Sequence, residues 1–165
     1  FSDPCLGIIS VLANAADGQN LGAKEYDRTK KGALFGTICG IGIAEVIGIA
    51  VFFFSPYLIA AFGGDQKAIE YGIAEAHTIA LFYCLLAFSH CMAAIQRGAG
   101  RSIVPMFVMM IVWCGVRVTY ISIVIRIIPM INVIYWAYPL TWFISSVIFL
   151  ILFLKTDWIH GLEKQ

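Results

Sequence analysis

The sequence predicts an all-α fold, a polytopic bundle of transmembrane helices, on three observations. Hydrophobic residues make up 61% of the chain and the mean hydropathy is +0.87. Charged residues make up only 13%, against roughly a quarter in soluble domains. Apolar runs long enough to cross a ~30 Å hydrocarbon layer at 1.5 Å per residue recur at about 33–54, 73–96, 103–125 and 133–154. Four full spans are therefore expected. Residues 1–16, with "CLGIISVLANAA", supply only part of another. The chain starts at Phe1 without the charged n-region of a signal peptide, so this stretch is expected to be the end of a truncated span, and the 165 residues the C-terminal part of a longer protein.

Between the partial and the first full span lies "GQNLGAKEYDRTKKG", residues 18–32, a turn dense in positive charge. This turn, the turn at 97–102 and the tail at 155–165 carry Lys24, Arg28, Lys30, Lys31, Arg97, Arg101, Lys155 and Lys164, whereas the opposite turns carry only Lys67 and Arg126. The positive-inside rule places the richer side, and with it the C-terminus, in the cytoplasm. Topology thus accounts for these basic residues, and no nucleic-acid partner is expected.

Segment 33–54 repeats small residues every fourth position, Gly32, Gly36, Gly40, Ala44 and Gly48, a stripe on which another backbone can approach closely. It is expected to end near Ser55-Pro56, since the residue before a proline is biased away from helical dihedrals. Asp65 then reads as the N-cap of one long helix, about Gln66 to Gln96, long enough to tilt or protrude. The turn "RGAGR" returns the chain, with Ser102 as a cap and Pro105 in the first turn of the next helix. Pro129 and Asn132 mark the last outer turn. Trp136, Tyr138 and Trp158 flank the final span as an aromatic belt would.

Two ionisable side chains fall midway along spans, Glu45 and Arg117. An unpaired charge there costs at least about 2.5–3.5 kcal/mol, which makes both candidates for an ion or substrate pathway as well as for structural pairing. His90 offers an imidazole able to exchange protons, and Asn14 an amide for interhelical bonding or for lining a cavity. Phe82, Tyr83, Trp113 and Tyr120 could contribute to a pocket for an organic cation or simply pack. His77, Cys84 and Cys91 recur at intervals of seven, but seven residues rise about 10.5 Å, too far for three ligands to share one metal. The five cysteines include no CxxC pair, and neither a metal nor another cofactor is expected. The three histidines are dispersed without a nucleophile or clustered acids, so no enzyme is expected.

Two turns carry a family resemblance. "GQNLGAKEYDRTKKG" resembles the loop after the second helix of each six-helix lobe in the multidrug and toxic compound extrusion (MATE) family, with Gln19, Asn20, Gly22, Ala23, Arg28 and Lys31 at matching places. "IQRGAGRSIVP" is similar to that family's LRGxG turn, with Arg97, Gly98, Gly100 and Pro105 matching and Gln96 where leucine is usual. "WCGVRVTYI" and "AYPLTW" are similar to its last two helices, with Arg117 on the arginine of the first. The resemblance implies that the chain runs from the end of the eighth helix through the twelfth. It also implies an antiporter in the plasma membrane, in which protons or sodium flowing inward drive export of cationic or amphipathic compounds. Its partners would be that ion, the substrate, membrane lipid and a missing N-terminal lobe, with no prosthetic group. The span "ALFYCLLAFSHCMAA" lacks the acid that some members use for coupling, which leaves the ion open. A lipid-linked oligosaccharide flippase of the same superfamily and a non-transporting membrane scaffold remain the alternatives.

Overall fold

The computed structural model describes residues 19–155 except 21 and 129, together with the backbone alone of residue 132. Asn14, the partial span at 1–16, Pro129, Trp158 and Lys164 lie outside the described residues. All regular structure among the described residues is helical. Helix α1 runs Tyr26–Ala61, α2 Gln66–Ala80, α3 Tyr83–Gly98 and α4 Ile103–Met109; a π-helical stretch, Met110–Val116, leads into α5, Arg117–Ile127, and α6 spans Asn132–Lys155. Three continuous helices, Tyr26–Ala61, Ile103–Ile127 and Val133–Lys155, are long and apolar enough to cross a membrane, and α2 with α3 makes a fourth crossing if its two arms act together.

Two expectations are corrected. The first span does not stop at Pro56, because α1 continues through it for 36 residues, about 54 Å at the α-helical rise. Proline lacks the N–H that would bond to the carbonyl of Phe52. The buried Ser55 hydroxyl donates to that carbonyl instead, at 3.3 Å, as side chains in membrane helices do when a proline frees a backbone group. The stretch expected as one long helix, Gln66 to Gln96, is instead two arms bent by 58° at Leu81-Phe82. No glycine or proline occupies positions 77–85 to produce that bend; its cause is tertiary. The small-residue stripe of α1 buries Gly40, Ala44 and Gly48, and a Cβ built on Gly48 would stand 2.6 Å from the Ala80 carbonyl oxygen. Gly48 thus receives the backbone of the bend.

Helix α1 packs along α2 and α3, α3 packs against α6, and α5 lies along α6. One apolar cluster joins the start of α1, the end of α3 and the end of α6 through Ala33, Ile95, Ala99 and Phe149. The turns at 19–25 and 98–102 and the end of α6 therefore share one end of the bundle. A second cluster at mid-depth gathers Ala44, Tyr83, Leu86, Ala87 and Trp142. Buried hydroxyls fold back onto their own helices, as with Thr37 on the Ala33 carbonyl at 2.7 Å and Ser89 on that of Leu86 at 2.8 Å. The Ser146 hydroxyl instead donates across helices, to the Leu85 carbonyl at 3.0 Å.

The turn "RGAGR" is closed by two backbone bonds, Gly100 N–H to the Arg97 carbonyl at 3.0 Å and Arg101 N–H to that of Gln96 at 2.9 Å. That is a Schellman ending, and Gly100 occupies its left-handed position with φ of 78°. Asp65 and Ser102 stand where caps were expected, but neither side chain makes a capping hydrogen bond.

Candidate functional site

The π-helical stretch ends where Arg117 begins α5. Such wide turns are rare and recur at functional sites. Arg117 points at α6, where its terminal nitrogen donates to Thr141 Oγ1 at 2.8 Å. Thr141 Oγ1 lies 3.0 Å from the carbonyls of both Ala137 and Tyr138, to which it donates in turn. The guanidinium carbon stands 4.3 Å from the ring centre of Tyr138 and 5.6 Å from that of Trp113, a cation–π arrangement suited to a cation out of water. Beyond Trp113, the ring of His90 meets it edge-on at 5.4 Å.

Arg117, Trp113 and Tyr138 wall a cavity of about 200 Å³ with Ile79, Tyr83, Leu86 and Trp142. Arg117 Nε and Trp113 Nε1 are buried without a hydrogen-bond partner among the described residues.

Glu45 lies on the other side of the bent helix. A cavity of about 220 Å³ is lined by Glu45, Gly48, Ile49, Phe52, Phe53, Ala80 and Leu81. The carboxyl oxygen Oε2 is buried and unpartnered among the described residues, and Cys84 interacts with the carboxylate from the start of α3. Gly42 and Gly48 flank Glu45, three residues to either side. The Gly42 side is open, with nothing within 4 Å of a built Cβ, but the Gly48 side is filled by the bend.

The bend thus forms part of both walls. Ala80 and Leu81 face the Glu45 cavity, while Ile79 and Tyr83 face that of Arg117. Tyr83 also touches the Gly48 position, its ring 3.3 Å from a built Cβ. The two cavities share no lining residue, but neighbouring positions of one bend, 79 to 83, contribute to each.

The structure brings Arg117 and His90 together through Trp113 and sets Glu45 apart. Of the four aromatics grouped from sequence, Tyr83 and Trp113 line the Arg117 cavity, Phe82 packs on Trp136 with ring centres 5.9 Å apart, and Tyr120 lines a different groove with Ile111 and Leu140. Tyr138, expected in an interfacial belt, lies instead against Arg117. His77 and Cys84 fall on opposite arms of the bend, with the His77 ring stacked on Phe52 at 4.3 Å. No group of His, Cys, Asp and Glu able to hold a metal occurs among the described residues.

Gln19, Asn20, Gly22 and Ala23 form the turn before α1, closed by Ala23 N–H to the Gln19 carbonyl at 3.1 Å and Glu25 N–H to that of Asn20 at 3.0 Å. Arg97, Gly98 and Gly100 form the turn at the same end of the bundle. Both sets are remote from the cavities. Sequence reasoning missed Thr141 as the hydrogen-bond partner of Arg117 and Trp142 as part of its cavity. The signal was a hydroxyl two residues after Pro139 inside a run as apolar as α6, where an unpaired polar group is costly.

A model of the MatE family matches residues 8–121, well over half of the chain. No curated protein and no solved structure matches it.

Proposed function

The chain belongs to the MatE family of membrane transporters, and from that premise we propose that it forms part of a cation-coupled antiporter exporting organic cations and other amphipathic xenobiotics. Its four crossings correspond to the ninth through twelfth helices of the family's twelve, with the partial span at 1–16 the end of the eighth. The basic turns and the C-terminus face the cytoplasm across the plasma membrane.

One observation carries the reading: a single bend, Ala80 to Tyr83, lines a cavity with a buried carboxyl on one side and a cavity with a guanidinium and aromatic rings on the other. Glu45 takes the coupling ion, because an unpartnered carboxyl oxygen in an apolar wall gains most from a proton or a sodium ion. Loading it removes a net charge from beside the Ala80–Leu81 backbone and so favours a different bend. Tyr83, which meets the Gly48 position and also lines the cavity of Arg117, carries that change to the packing of α3 against α6. We assign His90, whose ring meets Trp113 edge-on, a proton-exchanging role on that side. A ligand shifts such an equilibrium only by its differential affinity for the two states, so emptying and loading Glu45 must alternate with the bend.

The test is Glu45→Gln in the full-length transporter reconstituted in proteoliposomes, with ethidium as the exported dye. The amide keeps the shape of the side chain, so the variant should fold, bind dye and lose efflux driven by either a proton or a sodium gradient. Undiminished driven efflux across a range of pH would remove Glu45 from coupling.

A further inference from the structure

A guanidinium inside a membrane protein needs either a counter-charge or a full set of acceptors. Among the described residues Arg117 has one acceptor, Thr141 Oγ1, and two aromatic faces. The charged or ionisable groups acting on it are Tyr138 and Cys114, with no carboxylate among the described residues. Its Nε and the neighbouring Trp113 Nε1 are buried donors without an acceptor among the described residues. Leaving a buried donor unpaired costs about 1–3 kcal/mol, more when it is charged. Both orphans can only donate, since neither guanidinium nor indole carries an accepting lone pair.

We propose that the cavity between α2–α3, the π-helical stretch and α6 is a binding site for a small monocarboxylate, held by Arg117 and Trp113. The missing group is an acceptor with negative charge, and a single carboxylate supplies both. A dianion would leave one charge uncompensated among Ile79, Leu86 and Trp142. An organic cation is disfavoured here, because the Tyr138 and Trp113 faces that would receive it are already turned to the guanidinium and the fixed charge repels it. The cavity, about 200 Å³ with aromatic walls, has room for a molecule the size of benzoate. The site adds an anion-binding role to a protein proposed above to move cations, and equilibrium binding tests it without any gradient, so its failure and that of the transport reading are distinguishable.

The experiment is equilibrium binding of radiolabelled benzoate to the purified full-length protein in detergent, with benzamide, its neutral isostere, and chloride as competitors. Saturable binding displaced by benzoate, and neither by benzamide nor by equal chloride, is expected. Arg117→Gln should weaken it about tenfold or more, the scale of a charge-assisted hydrogen bond, and Trp113→Phe several-fold, since phenylalanine keeps the ring and loses the N–H. If Arg117→Gln does not fold, Trp113→Phe and the benzamide comparison decide. Absence of saturable binding, equal displacement by benzamide or by chloride, or benzoate affinity unchanged in the folded variants would overturn the proposal.

Discussion

The carbonyl oxygen of Ala80 lies 2.6 Å from the point where a Cβ on Gly48 would stand. The atom in the way is backbone, at the bend that lines both cavities, so it cannot rotate aside as a side chain would. Gly48→Ala should therefore separate α1 from the bend and lower stability by about 1–3 kcal/mol, the usual cost of overpacking. Gly42→Ala, six residues earlier with open space around it, should be neutral or stabilise by up to about 1 kcal/mol through helix propensity. Thermal unfolding of the two variants in detergent checks the contrast; equal effects would show that the α1–bend contact is not tight.

Thr141 both accepts from Arg117 and donates to its own helix. Thr141→Val keeps the shape and removes the hydroxyl, which should cost about 1.5–3 kcal/mol, the range for hydrogen bonds to a charged group. Thr141→Ser, which retains the oxygen, should recover most of that. Denaturation midpoints of the pair measure it, and a valine variant as stable as the wild type would show that the guanidinium finds another acceptor at no cost.

Ser55 and Pro56 should be coupled. The Ser55 hydroxyl serves the Phe52 carbonyl that Pro56 leaves without an N–H. Ser55→Ala should cost about 1 kcal/mol beside Pro56 and close to nothing in a Pro56→Ala background, where a backbone N–H returns. A double-mutant cycle on thermal stability reads the difference; additive effects would mean that the hydroxyl is not compensating for the proline.

Single cysteines introduced in a background lacking the five native ones test the orientation proposed from the basic turns. Position 65 should react with an impermeant maleimide on intact cells, and positions 24 and 101 only after permeabilisation. Labelling of 101 but not of 65 on intact cells would invert the topology.

The crossings were legible in sequence because lipid imposes a one-dimensional requirement: enough consecutive apolar residues, each backbone group bonded within its own helix. The same holds for local turn chemistry. Gly100 in "RGAGR" marks a helix ending that only a residue tolerant of positive φ adopts easily. Glu45 and Arg117 stood out for a similar reason, as ionisable groups in apolar runs. The stripe of Gly40, Ala44 and Gly48 announced that something packs closely on α1, without saying what.

What packs there was decided by tertiary structure alone. The bend at Leu81-Phe82 has no glycine or proline to announce it, because it is set by the α1 surface that receives the Ala80 carbonyl and by Phe82 packing on Trp136. Helix α1 runs through Pro56 because a neighbouring hydroxyl happens to reach the freed carbonyl. Arg117 meets Tyr138 and Thr141 across 21 and 24 positions of sequence through the packing of α5 on α6, and Glu45 is held apart from it by the bent helix between the two cavities. Hydrophobicity along a chain specifies which segments leave water, but not which faces meet once they have, since in an apolar solvent that choice rests on shape and on a few hydrogen bonds between residues distant in sequence.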